Sequence, residues 1–147
     1  MAAETSADVL QLVCTLHASF DGINTITALH RTVTLLKPAQ KSAVLAHTGY
    51  QVLLRLATAH APALAARGTA NGLYALARLP APPHPQLLDA MIASMQRTLL
   101  RMDSQGLANS VWALARMDHT PASELLKEHA SRPAVLFIDI QNQVSAA

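Results

Sequence analysis

The sequence contains little cysteine, few aromatic residues and little charge. Its 147 residues include one cysteine, Cys14, while aromatic residues make up 3% and charged residues 14%. A single cysteine excludes a disulfide framework within the chain and a cysteine-based metal site. No apolar run approaches the roughly 18 residues that span a bilayer. A transmembrane helix is therefore excluded, and we expect no membrane partner.

Alanine and leucine are in excess, within a hydrophobic content of 51%. Both residues favour helices, whereas strands are enriched in β-branched and aromatic residues. The composition therefore predicts an all-α fold. The net charge of +2 and the pI near 9.0 permit a polyanionic partner without requiring one.

The N-terminal segment does not resemble a targeting sequence, because its first ten residues include Glu4 and Asp8. Transit peptides are poor in acidic residues and rich in arginine, and signal peptides begin with positive charge. We therefore expect either a chain that stays where it is made or a piece of a longer protein.

One motif occurs twice, 38 residues apart: GTANGLYALARL begins at Gly68 and GLANSVWALARM begins at Gly106. Between residues 68–88 and 106–126, ten of 21 positions are identical, and the recurring Asn, Arg and Pro are not explained by richness in Ala and Leu. A weaker copy, INTITALHR, begins at Ile23 and lies 47 residues before its match, which requires an insertion of nine residues. A fixed period of about 20–50 residues is typical of stacked repeats.

Each repeat is predicted to consist of two helices. The first helix spans 67–79 in one copy and 105–117 in the next, where Ser104 is the predicted N-cap. The second helix spans 85–102, and its apolar residues fall within about 140° of one another. Three further helices are predicted over 7–20, 38–47 and 50–61. The predicted architecture is paired antiparallel helices stacked as an α-solenoid, a short right-handed superhelix or a fragment of one.

The repeat pattern divides the chain into five parts. They are an N-terminal helix in 1–22, a divergent first repeat with an insertion in 23–67, a second repeat in 68–105, a partial third repeat in 106–130 and an aberrant tail in 131–147. The tail contains a β-prone run where the second helix of the third repeat should continue. We expect the array either to stop there or to be followed by a foreign segment.

An asparagine and an arginine recur on the first helix of each copy. Asn71 and Arg78 are seven residues apart, so they lie within about 20° of each other on the helix and away from the apolar stripe. Asn109 and Arg116 repeat this placement. Stacked repeats would align these residues as a ladder of amide and guanidinium groups along one surface. Stacked helical repeats create extended concave binding surfaces.

The chemistry of this ladder suits single-stranded RNA. An Asn amide can bond a base edge, and Arg can pair with phosphate or stack on a base. Beside the ladder one position varies between copies, as a code read repeat by repeat would vary: Thr25, Gly72 and Ser110. The candidate RNA-binding residues are Asn24, Arg31, Arg67, Asn71, Gly72, Arg78, Gln105, Asn109, Ser110 and Arg116.

Structural interpretations of the same residues remain open. A recurring Asn can bond the backbone of the neighbouring repeat and set its spacing, and an Arg on an exposed helix face can simply be solvated. Tyr74 and Trp112 lie at the edge of the apolar stripe, so we predict that they are core residues rather than base-stacking platforms. Cys14 lies in an apolar helix and is predicted to be inert core.

The motif LANSVWALARM, followed by Pro121 and ELL with a period of 38 residues, resembles the octatricopeptide repeat family. Residues 20–37, FDGINTITALHRTVTLLK, resemble the opening repeat of such proteins, and the similarity covers about residues 20–130. The resemblance implies paired-helix repeats and sequence-specific binding to chloroplast or mitochondrial transcripts. It also implies a role in RNA stability, splicing or translation. The small number of repeats favours a fragment of a longer protein.

No catalytic or metal-binding pattern is present, and we predict that the chain is not an enzyme and needs no cofactor. The seven histidines match no ligand spacing, and neither a GxSxG motif nor a phosphate-binding glycine loop occurs. The alternative to RNA binding is a HEAT-like scaffold for other proteins. An RNA groove should gather Arg67, Arg78, Arg97, Arg101 and Arg116 on one side. Few repeats without a C-terminal cap also predict self-association through the uncapped end.

Overall fold

The computed structural model describes residues 2–119. About 80% of these residues are helical and none of them lies in a strand, which confirms the all-α class for the described part of the chain. The seven α-helices are α1 Ser6–Leu16, α2 Gly22–Leu35, α3 Lys41–Ala46, α4 Thr48–His60, α5 Ala66–Leu76, α6 Pro85–Thr98 and α7 Ser104–Arg116. Short 3-10 helices cover His17–Ser19, Pro38–Gln40, Ala61–Ala63 and Leu99–Arg101.

The predicted helices correspond to the observed ones with small shifts at their ends. α5 and α7 are the first helices of the two clear repeats, α6 is a second helix, and the weaker copy lies in α2. The insertion of the first repeat falls in the region that contains the short helix α3. The predicted helix over 85–102 ends as an α-helix at Thr98 and tightens into the 3-10 turn Leu99–Arg101, a common ending for an α-helix.

Side chains cap several helix starts, because the first backbone N–H groups of a helix have no partner within it. Thr5 and Asp8 form a capping box at α1, and the Asp21 carboxylate accepts a hydrogen bond from the Asn24 N–H at α2. The prediction of Ser104 as the N-cap of α7 was wrong. Asp103 caps this helix, accepting a 2.7 Å hydrogen bond from the Gly106 N–H, and Ser104 is the first helical residue.

The helix contacts fall into two rows. α2, α5 and α7 lie side by side in one row, and α1, α4 and α6 lie side by side in the other. The rows contact each other through α1 with α2, α2 with α4, and α5 with α6. The row of α2, α5 and α7 consists of the three helices that carry the recurring Asn and Arg.

The core lies between the two rows and is mostly Leu, Val, Ala and Met. The predicted stripe on α6 is confirmed except at Leu88, which is half-buried. Its fully or nearly buried members, including the turn that follows, are Leu87, Met91, Ile92, Met95, Leu99 and Met102. Cys14 is half-buried rather than fully enclosed. Burial of this apolar surface is the main favourable term in the folding of such a domain.

Gly49 allows α1 and α4 to approach closely. A Cβ atom at this position would collide with the backbone carbonyl of Leu10 on α1 and would come within 3.1 Å of the Cys14 sulfur. A carbonyl group cannot rotate away as a side chain can, so only glycine fits at this crossing.

Part of the predicted organisation lies outside the described residues. The second half of the partial third repeat and the 131–147 tail belong to residues 120–147. The uncapped end, and self-association through it, therefore stay predictions.

Candidate nucleic-acid interface

The row of α2, α5 and α7 brings part of the predicted ladder together at the N-terminal ends of the helices. Arg67 and Asn71 on α5 face Gln105 and Asn109 on α7 across one cleft. Asn24 and Arg31 on α2 line neither this cleft nor the next one. The structure therefore brings together four of the ten predicted residues at this end of the row.

The cleft between α5 and α7 has a volume of about 390 Å³ and a polar lining. The turn that precedes α7 contributes Arg101 and Asp103, in addition to the four residues from the helices. Arg67 and Arg101 make no hydrogen bond or ion pair with any described residue, and both are exposed. Two guanidinium groups face one carboxylate here, so the cleft carries a net positive charge.

A second cleft lies between α2 and α5, with a volume of about 660 Å³. It is more apolar than the first, because Ile23, Ile26 and Leu64 line it. Arg67 and Asn71 line both clefts. The two clefts therefore adjoin along α5 and form one groove across the row, which we call the α2/α5/α7 groove.

The amide groups of Asn71 and Asn109 are half-buried in this groove. Neither side chain hydrogen-bonds to another residue within 2–119, so the alternative in which they bond the backbone of the neighbouring repeat is not observed there. An amide carries two donors and an acceptor with two lone pairs. These groups are available to a ligand.

The varying position beside the ladder faces the interior, so Gly72 and Ser110 cannot serve as base-reading residues. Ser110 is fully buried, and its hydroxyl donates a 2.8 Å hydrogen bond to the Gly106 carbonyl. Thr25 is likewise fully buried and donates to the Asp21 carbonyl. A side chain at Gly72 would collide with Met91 of the opposite row. The variation at this position is a packing requirement.

Rings stack across the C-terminal ends of the same helices. The centroids of Tyr74 and Trp112 are 5.1 Å apart, and those of His30 and Tyr74 are 6.2 Å apart. The guanidinium carbons of Arg78 and Arg116 lie 5.5 Å and 5.4 Å from the Tyr74 and Trp112 centroids, within cation–π range. Neither ring belongs to the buried core that was predicted for it: Trp112 is half-buried against the core, and Tyr74 is half-buried between the rings of His30 and Trp112.

Within residues 2–119, three arginines donate hydrogen bonds to the protein's own backbone: Arg31, Arg97 and Arg116. Arg31 donates a 2.7 Å hydrogen bond to the Ala3 carbonyl, and Arg97 donates to the carbonyls of Ala61 and Leu64 as well as to the Ser94 hydroxyl. Arg97 therefore ties α6 to the turn before α5. The five arginines expected along one side lie in three places. Arg67 and Arg101 line the groove, Arg78 and Arg116 lie over the aromatic rings, and Arg97 joins α6 to the turn before α5.

The sequence pattern places Arg101 among the arginines of an RNA groove but identifies neither Arg101 nor Asp103 as an RNA-binding residue. The change from α-helix to 3-10 turn at Leu99 directs the segment that contains both residues to the groove. Asp103 was missed because Ser104 was predicted to be the N-cap. The signal that would have found both is the charge pattern RMDS directly before a repeat helix.

Residues 2–119 contain no helix long and apolar enough to cross a membrane. Within the same range, no three His, Cys, Asp or Glu residues come together as metal ligands would. Comparison with family models, curated proteins and solved structures found no match for the chain. The functional interpretation therefore rests on the groove itself.

Proposed function

We propose that this chain is a single-stranded RNA-binding repeat module and that RNA lies in the α2/α5/α7 groove. The observation that carries the proposal is that the amides of Asn71 and Asn109, and the guanidinium groups of Arg67 and Arg101 beside them, have no side-chain hydrogen bond or ion pair within residues 2–119. Sequence-specific RNA recognition targets unstacked bases through their hydrogen-bonding edges. Amides suit such edges, and guanidinium groups suit phosphates and base acceptors.

The proposal includes an α-solenoid architecture. The pairing of α2 with α4 and of α5 with α6, followed by α7, supports successive repeats of two helices. A short right-handed superhelix, or a fragment of one, places corresponding helices of successive repeats side by side. This arrangement suits a ligand that is itself a chain of repeated units, as RNA is.

The resemblance to the octatricopeptide repeat family extends the proposal to the target. We take the ligand to be a chloroplast or mitochondrial transcript whose stability, splicing or translation depends on sequence-specific binding. The role is binding without catalysis.

A protein-binding scaffold is the second candidate, and the α2/α5 cleft favours it. Ile23 is 77% exposed at the mouth of this cleft, beside Ile26 and Leu64. An exposed apolar residue beside an apolar cleft is a feature of protein-binding surfaces. The polar α5/α7 cleft supports RNA instead, because an apolar partner would leave its charged and amide groups without hydrogen bonds.

The test is fluorescence anisotropy of the folded chain with pooled single-stranded RNAs. The test variant is Asn71→Ala with Asn109→Ala, since both side chains are unpaired and alanine favours helices. The matched control is Gln51→Ala with Gln96→Ala, which removes two exposed amides from α4 and α6 in the other row. Circular dichroism and the urea midpoint confirm that each variant is folded.

We expect the Asn double variant to bind the RNA pool at least about tenfold more weakly, because two hydrogen-bonding groups worth roughly 1 kcal/mol each are lost. The Gln double variant should bind as the unmodified chain does. Equal affinity in all three proteins would place RNA elsewhere. Absence of binding by the folded, unmodified chain would reject the proposal and favour the scaffold.

A further inference from the structure

The two clefts on either side of α5 are equivalent by the repeat but differ in chemistry. Residues 101–103 border the α5/α7 cleft, and residues 63–65, which lie 38 positions earlier, border the α2/α5 cleft. The α5/α7 cleft therefore has the charged pair Arg101 and Asp103 where the α2/α5 cleft has two alanines. The clefts therefore differ at the turn before the first helix of the repeat, as well as at the opposite wall, where α2 has Ile23 and Ile26.

The backbone of these two turns is the same at the cap position. Ala65 has φ −74° and ψ 169°, and Asp103 has φ −74° and ψ 175°. At this position the difference between the clefts is therefore a difference of side chains on a common backbone conformation. A common frame with changed polar groups is how repeat proteins distinguish one base from another.

We infer that the α5/α7 cleft selects guanine, an inference that rests on the proposed RNA binding. Guanine presents two acceptors, O6 and N7, and two neighbouring donor groups, N1–H and N2–H₂. Arg101 has only donors, and an ionised Asp103 has only acceptors. Arg101 pairs with O6 and N7, and Asp103 accepts from N1–H and N2–H₂.

Asp103 has the capacity for this contact. Its Oδ1 atom accepts from the Gly106 N–H, while its Oδ2 atom makes no hydrogen bond within residues 2–119. The cleft volume of about 390 Å³ lies within the range of roughly 300–1,000 Å³ that is usual for small-ligand sites. The amides of Asn71, Gln105 and Asn109 remain for neighbouring base edges, the sugar and the phosphates.

The other bases leave part of this set unpaired. Adenine lacks an acceptor at position 6 and the adjacent pair of donors. Cytosine presents a single amino group, and uracil presents a single N–H. Arg101 and Asp103 are exposed in the unbound chain, so a base in the cleft displaces their water, and any of their groups that it leaves without a partner costs binding free energy. The charged pair therefore disfavours these bases as well as favouring guanine.

The experiment measures anisotropy with an oligouridine that carries one central guanosine, adenosine, cytidine or inosine. Inosine keeps O6, N7 and N1–H but lacks the 2-amino group. The variants are Asp103→Asn, which preserves helix capping because Asn is an equally good N-cap, and Arg101→Gln. The controls, Asp89→Asn and Arg55→Gln, make the same charge changes at exposed positions on α6 and α4.

We expect the guanosine oligomer to bind about tenfold more tightly than the others, which is the discrimination of one good bidentate contact. Inosine should bind more weakly than guanosine, because it loses the contact between the 2-amino group and Asp103. Asp103→Asn should remove the difference between guanosine and inosine, Arg101→Gln should weaken guanosine binding, and the controls should change neither. Binding of all oligomers without a guanosine preference, or a guanosine–inosine difference that survives in Asp103→Asn, would overturn the guanine assignment and leave RNA binding intact. Absence of binding to every oligomer would reject RNA binding as well.

Discussion

The Nε atom of Arg116 on α7 donates a 3.1 Å hydrogen bond to the backbone carbonyl of Ala77 at the end of α5. The two residues are 39 positions apart, so the bond joins one repeat to the next. Arg116 also covers the ring of Trp112. The arginine that the sequence marks as an RNA ligand therefore fixes the contact between repeats.

This bond predicts different stability effects for two equivalent arginines. Arg116→Ala should lower the free energy of unfolding by about 1–2 kcal/mol, because it removes a hydrogen bond from a charged donor together with a cation–π contact. Arg78→Ala should cost less than about 1 kcal/mol, because its 3.4 Å contact with the Tyr74 hydroxyl is long and exposed. Urea unfolding of both variants checks the difference. Equal losses would contradict the structural role of Arg116.

The start of α5 predicts a stabilising substitution. Ala65 is its N-cap residue and makes no side-chain cap, although its backbone matches that of Asp103. Ala65→Asp should therefore accept a hydrogen bond from the Gly68 N–H and raise the free energy of unfolding by about 0.5–2 kcal/mol. Ala66→Asp is the control, since it places the same charge one residue inside the helix. Thermal unfolding of both variants is the measurement, and an equal effect in both would point to charge alone.

The position that varies between repeats, Thr25, Gly72 and Ser110, should tolerate substitution only as far as core packing allows. Gly72→Ser introduces the residue of the next repeat, but its Cβ would collide with the terminal methyl of Met91 and lie 3.2 Å from the Cδ1 atom of Ile26, so the buried Met91 side chain must move. We expect a loss near the lower end of the roughly 1–3 kcal/mol that overpacking a core costs, because a Met side chain can adapt its shape. Gly68→Ala, one turn earlier on α5, meets Leu64 only at ordinary contact distance and should be neutral or stabilising by up to about 1 kcal/mol. An unfolding midpoint for Gly72→Ser equal to that of the unmodified chain would revive the idea of a base-reading position.

The periodic apolar residues made the fold class and most helices predictable. Leu and Met spaced along α6 determine its buried face whatever packs against it, so the pattern predicted the core correctly. The end of this helix depends on where the chain must turn toward α7. That turn is a tertiary constraint, and the sequence pattern does not contain it.

The site was less predictable than the fold because the helix wheel gives direction but not neighbours. Asn71 and Asn109 were correctly placed off the apolar stripe. Position 72 lies next to Asn71 on the helix surface, and only the contact with α6 determines that it faces inward. Arg101 and Asp103 were missed because their direction depends on a single 3-10 turn.

Tyr50 predicts a loss of stability at alkaline pH. Burial raises its pKa from 10.0 to about 12, because the ionised phenol would lose its hydration. The unfolded chain therefore releases this proton at lower pH than the folded chain does. The resulting stabilisation is complete below about pH 10 and is lost as the pH rises toward about 12.

Tyr50→Phe should remove this component of the pH dependence. Urea midpoints at about pH 9 and about pH 11.5 should fall less in this variant than in the unmodified chain. Tyr74→Phe removes a half-buried tyrosine and leaves Tyr50 in place. Its urea midpoint should therefore fall between the two pH values as much as that of the unmodified chain. The same alkaline loss in Tyr50→Phe as in the unmodified chain would show that other groups cause it.

If RNA lies in the groove, substitutions of Arg67 and of Arg101 should change the salt dependence of RNA affinity differently. Arg67 lines both clefts, so the proposal places it beside the backbone that passes from one base site to the next. Each phosphate contact to a single strand contributes about −0.7 to the slope of log K against log salt concentration. Arg67→Ala should therefore make the slope shallower by about 0.7 for every RNA sequence.

Two further variants should leave the slope unchanged. Arg101→Gln should not change it on an oligouridine without guanosine, because the partner of Arg101 is a base, and Arg55→Ala should not change it on any RNA. Equal slopes for Arg67→Ala and Arg55→Ala would mean that the backbone does not cross α5 at Arg67.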